Sequence, residues 1–124
     1  MKRIIALGVC LLFIVSLCGC GSMESIRENL ADSGFEVEEM NESRISSLNN
    51  DVKYTYGGRG SVVSGFYANG ENGESIICIE FSDKDDLTVM YKQIKSQLED
   101  GWIIDIKGNI VVYGTQKAVK TALK

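Results

Sequence analysis

The chain has 124 residues, with 17 Asp and Glu against 13 Lys and Arg, and contains neither histidine nor proline. Without an imidazole it has no Ser-His-Asp or Cys-His catalysis and no histidine-based metal site. A formal net charge of −4 opposes adhesion to nucleic acid, which needs surfaces rich in Lys and Arg.

Lys2 and Arg3 precede an apolar run of fourteen residues, 4–17, which is short of the about 20 that a membrane-spanning helix needs. Charged start, short apolar middle and small-residue exit are the three parts of a secretory signal peptide. The run closes on Leu17-Cys18-Gly19-Cys20, which resembles the lipobox of bacterial lipoproteins: a branched apolar residue, a small one, Gly, then Cys. Cys18 departs mildly from the family's usual second residue. The resemblance implies diacylglycerol transfer to Cys20, cleavage after Gly19, and a protein held at the cell membrane by acyl chains such as palmitate, facing outside the cytoplasm. Two chains at ~0.8 kcal/mol per buried methylene anchor stably where one does not.

On that reading residues 1–19 are a removed signal peptide, 20–22 the lipidated Cys and a tether of roughly 10 Å, and 23–124 a single domain. The loss of Lys2 and Arg3 takes the cations from 13 to 11 against 17 anions, a net charge of −6. Cys10 and Cys18 leave with the signal and Cys20 carries lipid, so Cys78 is a lone thiol with no disulfide partner. It lies in the strand-like run 76–81 and reads as a small buried hydrophobe.

Along the domain, Ile26 and Leu30 mark a short amphipathic helix over 23–33 that Gly34 ends. Phe35 and Val37 alternate with Glu36 and Glu38 as a strand with one wet face. Asn41 is placed to cap a second helix with Ile45 and Leu48 inward, ending at 49–51. The centre reads as a three-stranded meander: Val52, Tyr54 and Tyr56 alternate with Lys53 and Thr55, Gly57-Gly58-Arg59-Gly60 turns the chain, 62–68 return, and a turn over 69–73 leads into 74–81.

Ser82-Asp83-Lys84-Asp85 reads as a cap for a helix carrying Leu87, Met90, Tyr91, Ile94 and Leu98 on one stripe, ended by Gly101. Residues 102–106, a turn over 107–109 and 110–113 predict a hairpin, and Thr115 a cap for a last helix with Ala118, Val119 and Ala122 inward. Helix end, glycine, aromatic and strand recur at Leu30 to Phe35 and at Leu98 to Trp102, a weak internal echo. Together these elements predict an α+β fold: an antiparallel sheet of five or six strands with three or four helices mainly on one face.

Few constellations carry chemistry. Gly57-Gly58-Arg59-Gly60 lacks the Lys-Ser/Thr that follows a phosphate loop and reads as a hairpin tip. Asp83, Asp85 and Asp86 lack the EF-hand spacing and read as helix capping, so no metal or other cofactor is implied. Arg59 with Tyr54, Tyr56 and Tyr67 forms a candidate aromatic and cationic face for an acidic or glycan partner. The expectation is a non-catalytic, lipid-anchored interaction module meeting an envelope protein or wall polymer. A ligand-binding or hydrolytic domain using carboxylates or a Ser-Lys pair is the alternative, and an inhibitor or immunity-like protein a third reading.

Overall fold

Five strands pair antiparallel throughout, in the order β1-β2-β3-β5-β4, in a computed structural model that describes residues 21–124, with side chains from Met23 onward. The expected signal peptide, residues 1–19, and the expected lipidation site Cys20 lie outside the described residues. Helix α1 spans Gly21–Asp32, so Gly21 and Ser22, expected in a tether, are already helical. It ends as Gly34 takes a φ of +90° and the Phe35 amide donates to the Leu30 carbonyl, a glycine-dependent stop. Strand β1, Glu36–Glu39, then runs back beside α1. Arg27 clamps the two with hydrogen bonds of 2.7 and 2.8 Å to the Glu39 carboxylate, its guanidinium lying 5.3 Å from the Phe66 ring centroid.

Helix α2, Glu42–Asn50, is capped by Asn41, whose side chain accepts from the Arg44 amide. The expected strand over 52–56 does not form. The chain instead continues as a π-helical turn, Asp51–Thr55, and Val52 is fully buried. Ile45, Leu48, Val52 and Tyr56 are spaced by three, four and four residues, so the helical period outlasts the asparagines and overrides a local β-like alternation. Gly57–Gly60 is accordingly a link from helix to strand, and no hairpin tip.

Strands β2, Val62–Asn69, and β3, Ser75–Phe81, form the expected hairpin across a 3₁₀ turn, Glu71–Gly73. Helix α3, Lys84–Ser96, starts at Asp83, whose carboxylate accepts from the Asp85 amide. It stops short of Leu98, and Gly101 serves the turn into β4. β4, Trp102–Lys107, and β5, Ile110–Thr115, make the closing hairpin, and α4, Gln116–Ala122, follows. Thr115 stands at the N-cap of α4, but its hydroxyl donates to the Glu74 carboxylate instead of capping.

The helices, expected mainly on one face, instead divide between the two faces of the sheet. One face stacks α1 and α4 on Phe66, Ala68, Ile76, Cys78 and Val112. The other sets α2 and α3 over Val62, Ile79, Phe81 and Val111. The reason lies in β3: Ile76 and Cys78 point one way, Ile77, Ile79 and Phe81 the other, and a strand apolar on both sides needs cover on both. Among the described residues no helix is long and apolar enough to cross a membrane.

Candidate functional site

The four residues expected to share one face are not gathered as expected. Tyr54 is 77% exposed on the π-helical turn, and Lys53 Nζ lies 5.8 Å from its ring centroid. The Arg59 guanidinium points to solvent, 3.7 Å from the Asp83 carboxylate. Tyr56 and Tyr67 do come together, on the α2–α3 face around Tyr113. Burial pushes the Tyr113 hydroxyl above its ordinary range; the Arg44 cation opposes this, while Tyr67, Cys78 and Tyr56 add to it.

Strand register explains this gathering. Tyr67 opposes Ile77, Ile77 opposes Tyr113, and Tyr113 opposes Ile104, so one row of side chains crosses four strands on a single face. All four are half-buried, whereas Ile79 and Val111, one row over, are sealed. Arg44 reaches down from α2 and donates from Nε to the Tyr67 hydroxyl at 2.8 Å. At the far side Trp102 lies 6.2 Å from Tyr113 between ring centroids, tilted by 52°. These two rings, Ile94 near the end of α3 and Leu98 just beyond it line an open groove of about 180 Å³. The arrangement offers flat apolar faces with hydroxyl, indole N–H and guanidinium at their margins, the equipment of a contact surface.

Sequence reasoning missed Arg44, Trp102 and Tyr113 as part of this face. Tyr113 was legible once β5 was placed beside β3, because alternation puts it on the side opposite Val112. Arg44 carries no such signal, since nothing in a helix period says which strand tyrosine it meets.

The glycine-rich segment proves to be an anion cradle already filled from within. Asp86, 1% exposed, turns inward from the first turn of α3. Its carboxylate accepts from the Arg59 amide at 2.8 Å, the Ser61 amide at 2.9 Å and the Ser61 hydroxyl at 2.6 Å. Burial alone would raise this carboxyl, but the Ser61 hydroxyl and the amides of Arg59, Ser61 and Gly60 outweigh it and hold it below the usual range. A Cβ on Gly58 would stand 2.5 Å from Asp86 Oδ1, so the segment can wrap the carboxylate only as glycine. The acidic cluster 83–86 thus splits: Asp83 caps α3, as expected, and Asp86 ties down the loop.

Cys78 is fully buried, and burial pushes its thiol far up against the opposing pull of Arg27, so it stays protonated. Among the described residues no cluster of Cys, Asp and Glu is placed to hold a metal ion. No family model, curated protein or solved structure matches the chain.

Proposed function

We propose that this chain is a lipid-anchored protein of the cell envelope, tethered through Cys20 at the outer face of the cytoplasmic membrane. Its domain is a non-catalytic interaction module that meets an envelope protein or wall polymer with the half-open row Tyr67, Ile77 and Tyr113 and the adjoining Trp102. That row is the observation carrying the reading. Large, rigid, amphipathic side chains that stay half-exposed are the typical anchors of an interface. The tether follows from the lipobox resemblance, and the helical start at Gly21 leaves almost no spacer between Cys20 and the fold. The two groups with the most altered surroundings, Asp86 and Cys78, are both engaged in holding the fold, which favours binding over chemistry.

Two measurements test this. Mass spectrometry of the native polypeptide is expected to find a diacylglyceryl thioether on Cys20 and residues 1–19 gone. A bare sulfur or an intact leader removes the tether. Photocrosslinkers placed at Tyr67 and at Tyr54 in intact cells are expected to give discrete adducts from the first position only. Equal labelling from both, or turnover of a substrate by the purified protein, overturns the role given to the row.

A further inference from the structure

We propose that the free edge of β4 pairs antiparallel with the same edge of a second copy, about a two-fold axis at Ile106, joining two domains into one ten-stranded sheet. The proposal does not rest on the lipid anchor or on the role given to the tyrosine row.

The sheet has three stretches of edge, and two are guarded. β1 is four residues long and three of them are Glu, a charged and short edge. The first half of β2 extends beyond β1, but the Asn49 side chain takes both the Val62 amide (2.7 Å) and the Val62 carbonyl (3.1 Å). The Met40 amide takes the Gly65 carbonyl at 2.9 Å.

β4 differs. It runs for six residues and presents Ile103, Ile104 and Ile106, with Ile106 37% exposed. The Phe81 amide bonds the Asn109 carbonyl, which fixes the parity of β5: Ile110, Val112 and Gly114 bond toward β4. Through the register their partners are Lys107, Asp105 and Ile103, so the backbone groups of Trp102, Ile104 and Ile106 point outward. The Trp102 amide is satisfied by the Glu99 carbonyl, and the Ile106 amide by the Asp105 carboxylate at 2.8 Å. The Ile104 amide and carbonyl have no partner among the described residues. A six-residue, apolar-rich edge with three residues facing outward, Ile104 with both its backbone groups unpaired, is a template for strand addition.

Charge placement selects a second copy as the occupant. A two-fold axis perpendicular to the sheet keeps each side chain on its own face, so the axis must pass through a residue of β4. At Asp105 it sets that carboxylate against itself. At Ile104 it sets Asp105 against Ile103, at Ile103 against Gly101, and at Lys107 it sets that cation against itself, so none of these pairs opposite charges. At Ile106 it sets Asp105 opposite Lys107 on both sides of the axis, with the exposed Ile106 against its own copy; Asp105 leaves its cap on the Ile106 amide for a cation, and Ile104 comes to face the Gly108 carbonyl, which Lys84 Nζ holds at 2.9 Å in the single chain and must release. The axis also keeps both α1 helices on one side of the joined sheet, so two chains acylated at Cys20 can enter one bilayer.

The test is sedimentation of the full-length protein in mild detergent across a concentration series. Wild type is expected to show a monomer–dimer equilibrium. Lys107→Glu and Asp105→Lys, each alone, are expected to weaken it about tenfold, and the two combined to restore it, because the pairs re-form with signs exchanged. Ile106→Pro removes an amide that the β5 ladder does not use, and is expected to give monomer with unchanged circular dichroism. A wild type that stays monomeric throughout overturns the proposal, as does a dimer indifferent to these four variants.

Discussion

The two faces of the sheet are built from the same alternating strands yet finish differently. Under α1 and α4, Phe66, Ala68, Ile76, Cys78 and Val112 are all sealed from solvent. Under α2 and α3 only the half near Val62 and Phe81 is sealed, and the row Tyr67, Ile77, Tyr113 and Ile104 stays half-open. Coverage follows helix placement. α1 and α4 pack against each other, and Asn29 of α1 donates to the Ala122 carbonyl at 2.9 Å. α2 lies over β2 and α3 over β3, β5 and β4, and Leu48, Leu87 and Met90 from these helices seal the part around Val62 and Phe81. A protein that must stay folded and also meet a partner can divide the two duties between its faces.

The largest expected effect breaks that comparison directly. Phe66→Ala on the sealed face should cost about 3–5 kcal/mol, because it removes a fully buried ring and leaves a cavity. Tyr67→Ala, the next residue along the same strand but on the half-open row, should cost no more than about 1.5 kcal/mol, since part of its surface is already wet. Urea unfolding of both variants reads the difference. Equal losses would mean that the row is packed core.

Asp86→Ala should rank next, at about 1–3 kcal/mol, because it strands the Arg59 and Ser61 amides without their acceptor. Its sign with pH is fixed. The folded carboxyl is held below its unfolded value, so its stabilisation is present above about pH 3.9 and is lost as pH falls through the folded value. Asp86→Asn should therefore flatten the acid limb of a stability–pH curve while leaving the neutral plateau lower. An acid limb unchanged in the variant would place the acid sensitivity elsewhere.

Much of this architecture was legible in the residues. The stripes of α1 and α3, the stop at Gly34, the caps at Asn41 and Asp83 and both hairpins follow from local chemistry, whereas α3 ends at Ser96, ahead of the stop expected at Gly101. What escaped was decided at a distance. Val-Lys-Tyr-Thr-Tyr alternates like a strand, but Val52 continues the period of Ile45 and Leu48, and the core beneath it wins. Asp86 looked like one more acid at a helix start, because nothing local says that a loop twenty-five residues earlier will offer it two amides and a hydroxyl. The tyrosine row needs strand order, which alternation alone does not supply, so Tyr67 was found and Tyr113 was not. The helices were expected mainly on one face and lie on both; the signal passed over was the unbroken run Ile76-Ile77-Cys78-Ile79, which leaves neither side of β3 polar.

The smallest expected effect comes from the sealed face and has the opposite pH dependence to the Asp86 knot. Burial raises the Cys78 thiol well above the about 8.5 of an unfolded chain, so both states are protonated at neutral pH and the residue is silent there. As pH rises past that value the unfolded chain releases its proton and the folded one keeps it, so stability falls. The loss at pH 9 is under about 1 kcal/mol by linkage. Cys78→Ala should lower stability at every pH through its small cavity but remove this alkaline decline, which stability measured between pH 7 and 10 would show as a flatter limb. The same burial predicts that a thiol reagent labels native Cys78 only as fast as the domain opens, so labelling should accelerate in Phe66→Ala and stay near the wild-type rate in Tyr67→Ala. That pairing ties a single sulfur to the sealed side of the sheet: equal acceleration in both variants would show that the two faces open together, and the contrast between them would then be one of surface alone.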